Sequence, residues 1–247
     1  MATGIDLNCD VGEGVGNEAL LFPYISSCNI ATGGHAGDVS SMTQVASLAK
    51  AQQLLIGAHP SYPDRANFGR VSLEMEKQGF QESMRSQLNS IREVLSALNL
   101  KLDHIKAHGA LYNDLAKGGA LADAYLQVME PFRGECMLYV PCGSEFAKIA
   151  RDRGFEIWEE AFADRAYHSD GRLVSRSVPG AVLTDPEAVC NQVLQMISEN
   201  RVMCTDGSFL HIQPDTICVH GDNPEALEIL KRLRSTLFEA SIPVKNE

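Results

Sequence analysis

Four histidines in this chain stand beside glycines and carboxylates, each at the polar end of a short apolar run. His35 lies in Gly33-Gly34-His35-Ala36-Gly37-Asp38 and His59 in Gly57-Ala58-His59-Pro60. His108 lies in Lys106-Ala107-His108-Gly109 and His220 in His220-Gly221-Asp222. Carboxylates hold equivalent places: Asp10 and then Glu13 after the first run, Glu160 and then Asp164-Arg165 after a later one. Imidazoles and carboxylates move protons near neutral pH and ligate divalent cations. One such histidine is more often a hydrogen-bonded core residue, but four with carboxylates alongside point to a site.

Two chemistries fit these residues. In one, Asp10, His59 and His108 hold a divalent cation that activates water. In the other no metal is needed: carboxylate and imidazole serve as general acid and base, and Lys106 and Arg165 stabilise a developing anion. No H-E-x-x-H helix pair is present to favour the first. The remaining histidines carry less. His104 opens its run and reads as structural or solvent-exposed, while His168 and His211 fall in loops with no supporting pattern.

These residues can meet only if the elements carrying them converge. Runs rich in β-formers span Ile5–Asp10, Ser27–Thr32, Leu54–Pro60, Asp103–His108, Cys136–Pro141, Glu156–Ala161 and Thr216–His220. Each reads as a strand that begins apolar and ends polar. Helical periodicity separates them: Met42, Val45, Ala46 and Ala49; Met84, Leu88, Ile91, Leu95 and Leu98; Val189, Val193 and Met196; Leu227, Leu230, Leu233 and Leu237. Further helices are expected at Leu121–Met129 and Glu145–Arg153. Asp185-Pro186 and Asn223-Pro224 are start signals, a capping side chain before a proline at the first helical position. Strand and helix alternating in this way predict a parallel sheet, and the length favours a TIM-barrel-like closed barrel with seven strands. Residues 1–247 are expected to form one such (β/α) barrel, with 163–184 as a long loop or small excursion. The C-terminal strand ends would then gather Asp10, His35, His59, His108, Glu160, Asp164 and His220 at one mouth.

Composition narrows the function. The chain has 247 residues, 45% hydrophobic and 21% charged, with 21 Lys+Arg against 32 Asp+Glu and a net charge of −11. A nucleic-acid role is disfavoured, since phosphate binding needs a basic surface. No run reaches the length of a membrane helix. The N-terminus from Met1 to Asp6 lacks the basic and apolar regions of a signal peptide, so a cytoplasmic location is expected. Seven cysteines with no C-x-x-C read as reduced, mostly buried thiols. Gly12-Glu13-Gly14-Val15-Gly16 is neither a Walker loop nor a dinucleotide fingerprint; it fits an anion-facing nest or a tight rim turn.

Several blocks together resemble the LamB/YcsF family. They are Asp6-Leu7-Asn8-Cys9-Asp10-Val11-Gly12-Glu13, Asn29-Ile30-Ala31 with Gly34-His35-Ala36-Gly37-Asp38, and Gly57-Ala58-His59-Pro60-Ser61-Tyr62-Pro63-Asp64. Phe68-Gly69-Arg70, Lys106-Ala107-His108-Gly109-Ala110-Leu111-Tyr112-Asn113, Glu160-Ala161-Phe162-Ala163-Asp164-Arg165 and His220-Gly221-Asp222-Asn223-Pro224 follow in order. Departures include Thr32-Gly33 in place of Cys-Gly, Gly34 in place of Phe and Val71 in place of Arg. None of them removes a candidate acid, base or ligand.

The resemblance implies a seven-stranded barrel akin to the glycoside hydrolase/deacetylase superfamily. It implies a 5-oxoprolinase activity, the ATP-dependent opening of 5-oxo-L-proline to L-glutamate, carried out with 5-oxoprolinase subunits B and C. Related deacetylase-like families bind metal through an Asp and two His, which matches Asp10, His59 and His108. Those three would handle water, Lys106 or Arg165 would meet the substrate carboxylate or a phosphate, and Glu160 and Asp164 complete the expected catalytic group. Asn8, Glu13, Asn29, His35, Asp38, Tyr112, Asn113, His220 and Asp222 are the expected substrate contacts. With no lysine-bearing phosphate loop in view, the partners are expected to supply the ATP site. Two alternatives stand beside this: a stand-alone metal-dependent deacetylase or amidohydrolase, and a non-catalytic substrate-binding subunit.

Overall fold

Along Asp6–Val11 (β1) every residue is buried, but in two different surroundings. Leu7, Cys9 and Val11 join the apolar layer under the helices, whereas Asp6, Asn8 and Asp10 turn inward to hydrogen-bond across the sheet. This is the two-residue period of a strand buried on both faces. β2 (Ser27–Ala31), β3 (Leu55–His59), β4 (His104–Lys106), β5 (Met137–Pro141) and β6 (Ile157–Phe162) follow. A short antiparallel hairpin, β7 (Arg201–Met203) and β8 (Phe209–His211), precedes β9 (Thr216–His220). The computed structural model describes residues 4–245; Met1–Thr3, at the N-terminus expected to lack a signal, lie outside the described residues.

All strands but the hairpin are parallel and close a barrel in the order β1-β2-β3-β4-β5-β6-β9. Closure is made by β9, which pairs with β1 through Asp10↔His220 and with β6 through Phe162↔Cys218. The seven strands expected from the sequence are these seven, with no end shifted by more than two residues. The β7–β8 hairpin is a further element: three-residue strands are too short to show a period.

The outer layer is helical. α1 (Glu18–Leu21) and α2 (Val39–Ala51) precede α3 (Lys77–Ala97), whose Phe80, Met84, Leu88, Ile91 and Leu95 form the buried stripe. α4 (Gly109–Leu115), α5 (Gly119–Met129), α6 (Glu145–Asp152), α7 (Pro186–Ser198) and α8 (Ala226–Glu239) complete it. Asp185 caps α7 as expected, accepting the Glu187 N–H ahead of Pro186. Asn223 behaves differently. α8 begins at Ala226, so Pro224 lies in the preceding turn; the Asn223 side chain accepts the Glu225 N–H there and donates to Asp164. Residues 163–184 form the expected excursion, pinned by isolated bridges Arg165↔Val182 and Tyr167↔Leu173.

The barrel interior corrects one expectation. Strands do not simply run from apolar to polar; Asp6, Ser27, His104 and Thr216 already face inward at the strands' starts. The lower layer holds Asp6, Ser27, Thr216 and Tyr139, joined by hydrogen bonds onto Asp6 Oδ2. Above it His104 is fully buried, not exposed, with its ring stacked on Tyr139 and Nε2 2.7 Å from Asn29 Oδ1. Gly57 makes room: a Cβ there would lie 2.1 Å from His104 Nε2. Among the described residues no helix is long and apolar enough to cross a membrane. All seven cysteines are unpaired, with only Cys142 half-buried and the rest buried.

Candidate active site

The C-terminal strand ends open on a cavity of about 780 Å³. Its floor is a buried charge cluster. Lys106 Nζ, on β4, lies 2.9 Å from Asp10 Oδ1 and 2.8 Å from Glu160 Oε1. Asn8 bridges beneath, donating to Glu160 Oε1 and Thr216 Oγ1, and Asn29 donates to Asn8 Oδ1 and Asp10 Oδ1. Against the penalty of burial, His59 and Lys106 hold the Asp10 carboxyl well below its usual range. Against the same penalty, Asp10, Cys218 and Glu160 keep Lys106 well above its ordinary value. Asn8 and Asn29 are fully buried and hold this floor, so they position charged groups and do not line the cavity.

On one side of the floor a histidine cluster meets Glu13. His59 Nδ1 lies 2.8 Å from the Lys106 carbonyl and His108 Nε2 2.9 Å from the Phe68 carbonyl. A carbonyl only accepts, so each of these nitrogens carries the proton and assigns the neutral tautomer. The other nitrogens, His59 Nε2 and His108 Nδ1, then face each other as bare lone pairs 3.0 Å apart. Glu13 Oε1 lies 3.4 Å from His108 Nδ1 and 4.0 Å from His59 Nε2, and burial, then the Asp10 charge, push its carboxyl up to about 7. Two lone pairs and a carboxylate oxygen at this spacing need a proton or a cation among them.

Donor atoms of Glu13, His35, His59 and His108 all lie within 4.8 Å of one another. His59 and His108 have the outer hydrogen bond that orients a metal-ligating imidazole; His35 has none at Nδ1. His35 instead places Nε2 2.8 Å from Glu13 Oε1 and stacks flat on His108 at 3.6 Å. Glu13, His59 and His108 thus fit a divalent cation with one position left open, and His35 steadies Glu13. This regroups the expected ligands. Asp10 Oδ2 is 3.4 Å from His59 Nε2, but Asp10 groups with Cys218 and His220, and Lys106 already neutralises it. Gly12, at φ +73°, turns the chain so that Glu13 points inward, the rim-turn reading of the glycine loop.

The opposite wall carries a second pair. Asp164, fully buried, lies 2.7 Å from His220 Nδ1 and is held below the usual carboxylate range by His220 and Asn223, against burial. His220 stacks on Phe162, with 5.1 Å between ring centroids, and lines the cavity. At the rim Asp222 receives Arg70 at 2.5 Å and Arg176 at 3.0 Å. Tyr112 is buried and Asn113 exposed on α4, and both line the cavity.

Asp38 lies away from the cavity, and Arg165 is committed to backbone carbonyls. Asp38 is exposed and caps α2: its carboxylate accepts the Ser41 N–H and the Ser41 hydroxyl accepts the Asp38 N–H. Arg165 borders the cavity, but its guanidinium donates to the Ala181 and Val174 carbonyls and so braces the 163–184 excursion. Arg176, Phe162 and His211 also line the cavity, although their sequence context does not mark them as site residues. Arg176 and His211 sit in the excursion and the hairpin, where no periodic pattern picks them out. Phe162, at a strand end, reads locally as packing.

Parallel strands closed into a ring, with imidazoles, carboxylates and a buried lysine at the C-terminal mouth, define a (β/α) barrel with an enzyme-type site. The chain belongs to the LamB/YcsF family, whose model matches residues 5–247. It is 38% identical over 246 residues to a Tolumonas auensis protein named as the A subunit of 5-oxoprolinase, covering 98% of each chain. A protein of the same name from Pyrococcus furiosus is also 38% identical, over 97% of this chain and 96% of its own. A crystal structure of a lactam utilization protein from Thermus thermophilus superposes with a TM-score of 0.90 at 33% identity, covering 99% of this chain and 100% of that one.

Proposed function

We propose that this chain is the lactam-opening subunit of an ATP-dependent 5-oxoprolinase that converts 5-oxo-L-proline to L-glutamate with subunits B and C in the cytoplasm. The observation that carries this reading is the near full-length likeness to chains named as 5-oxoprolinase A subunits. The charged mouth supports it. A five-membered lactam is a stabilised amide whose closure from glutamate is favoured, so opening it requires coupling to ATP. Phosphorylation of the lactam oxygen, water attack at the activated carbon and C–N cleavage with release of phosphate balance that reaction. ATP comes through the assembled complex.

The site residues divide the work as follows. Asp164 fixes the His220 tautomer through Nδ1, leaving Nε2 as the base that takes a proton from water and returns it to the leaving nitrogen. Lys106, flanked by Asp10 and Glu160, is the fixed cation beneath the reacting carbon. Arg70 and Arg176 at the rim meet the substrate carboxylate. Glu13, His59 and His108 would hold a divalent ion, which supplies Lewis acidity towards a carbonyl and makes water more acidic.

The facing lone pairs of His59 and His108 favour one second reading, a metal-dependent amidohydrolase that needs neither ATP nor partners. One assay separates the two: glutamate release from 5-oxo-L-proline, with and without ATP, subunits B and C, and a chelator. Release only with ATP and all three subunits is expected. Release by the chain alone, abolished by the chelator, would establish the second reading in its place.

A further inference from the structure

Two polar atoms in the cavity wall lack a hydrogen bond: Tyr112 Oη and Glu160 Oε2. Both side chains are buried, at 5% and 2% exposure. Everything else about them is held. Glu160 Oε1 receives Lys106 Nζ and Asn8 Nδ2, each at 2.8 Å. The Tyr112 ring meets Phe162 edge to face, 5.4 Å between centroids. Burial, and then the neighbouring Glu160 charge, push the phenol well above its usual pKa, so it keeps its proton. The phenol and the Glu160 carboxylate lie within interaction range of each other, yet neither Oη nor Oε2 completes a hydrogen bond of normal geometry.

A buried polar group left without a partner is costly, because it has given up its bonds to water and gained none in return. Two on neighbouring side chains of the cavity wall, each closed off from solvent, call for a ligand that satisfies both. A carboxylate oxygen only accepts and a protonated phenol donates. Their complement is an N–H and a C=O side by side on one edge. An open-chain secondary amide is trans, with its N–H and C=O on opposite edges. A five-membered lactam is locked cis by its ring and presents both on the same edge.

The geometry points to Glu160 Oε2 and Tyr112 Oη as a matched acceptor and donor that read the cis-amide edge of a lactam and turn away open-chain amides. This specificity role rests on the lactam-opening reading above and adds what selects the ring: the N–H goes to Glu160 and the carbonyl oxygen to Tyr112.

The test is a calorimetric titration of the full chain with three neutral probes. They are 2-pyrrolidinone, γ-butyrolactone (the same ring with oxygen replacing the N–H) and N-methylacetamide. The expected order is 2-pyrrolidinone first, with both others weaker by roughly tenfold or more, the loss of one buried hydrogen bond. Tyr112→Phe weakens 2-pyrrolidinone by about tenfold. It leaves the thermal midpoint of the free protein unlowered, because the hydroxyl it removes has no partner to lose; a structural hydroxyl would show the opposite. Glu160→Gln presents an N–H in place of the acceptor and narrows the gap between lactam and lactone.

Equal binding of 2-pyrrolidinone and γ-butyrolactone, no binding of 2-pyrrolidinone, or indifference of its affinity to Tyr112→Phe overturns the proposal. If Glu160→Gln fails to fold, the probe series and Tyr112→Phe still decide. The glutamate-release assay reports separately on the reaction. Tyr112-dependent lactam binding without glutamate release would leave the reading pair standing and remove the function, and the converse result would do the reverse.

Discussion

His59 Nε2 and His108 Nδ1 lie 3.0 Å apart, and each ring has its far nitrogen fixed on a backbone carbonyl. Rotating either ring to relieve the contact would strand a buried N–H. With both far nitrogens committed, the contact is satisfied by a proton or a cation between the rings, and Glu13 lies on the same side.

The first expectation concerns metal. Titrating the full chain with Zn²⁺ or Mn²⁺ should raise its thermal midpoint, since an ion that binds only the folded state stabilises it. Glu13→Gln and His59→Ala should each weaken that affinity by roughly tenfold or more, and Asp10→Asn by less. Metal content measured on dialysed protein checks this. Equal loss in all three variants would restore Asp10 to the ligand set.

Lys106 neutralises two buried carboxylates at once. Lys106→Met removes the cation and leaves Asp10 and Glu160 together in a dry site. Its expected cost is about 3–5 kcal/mol in urea unfolding, the penalty for a broken buried pair. Adding Glu160→Gln to that variant should recover part of the loss, because one unpaired charge disappears. A double variant no more stable than the single one would show that the two carboxylates are not coupled through Lys106.

His104 predicts a pH dependence of stability. Burial first, then the charge of Lys106, lower its pKa to about 3. The unfolded residue titrates near 6.5. Between those values the unfolded chain binds a proton that the folded one does not, so stability falls as pH drops from about 6.5 towards 3. His104→Gln should flatten this part of the profile while keeping a donor for Asn29. Denaturant midpoints taken from pH 7 to pH 4 measure the difference; parallel profiles would refute the assignment.

At the rim, Arg70 and Arg176 share Asp222. Arg70→Ala or Arg176→Ala should raise KM for 5-oxo-L-proline by about tenfold with a smaller change in kcat, as expected for groups that bind substrate and transition state alike. Asp164→Asn should act on kcat, by roughly 10²-fold or more, because it loosens the His220 tautomer. Steady-state kinetics of the assembled complex separates the two patterns.

Much of this architecture is legible in the sequence. The run Thr216–His220 is a strand at both of the expected ends. Asp10, His59 and His108 do meet at one mouth, with His59 touching both others. Other features are hidden by their local context. Asp38 looks like a site residue beside His35 but caps a helix, because Ser41 stands three positions on. His104 looks peripheral at the start of its strand, yet Gly57 on the neighbouring strand opens a space for its ring inside the barrel. The excursion and hairpin that wall the cavity have no period to betray them.

The alternation of strands and helices, and the polar residues at the strands' C-terminal ends, can be read directly from the chain. Both follow from local rules: an alternation of two residues along a strand, and the position of a residue at a strand's end. Which atoms pair is settled by the closed barrel. Asn8 reaches Glu160 across 152 positions of chain, and Glu13 rather than Asp10 joins the histidines. Such choices depend on lateral register around the closed sheet and on how each rim loop turns, and neither is written in any single stretch of residues.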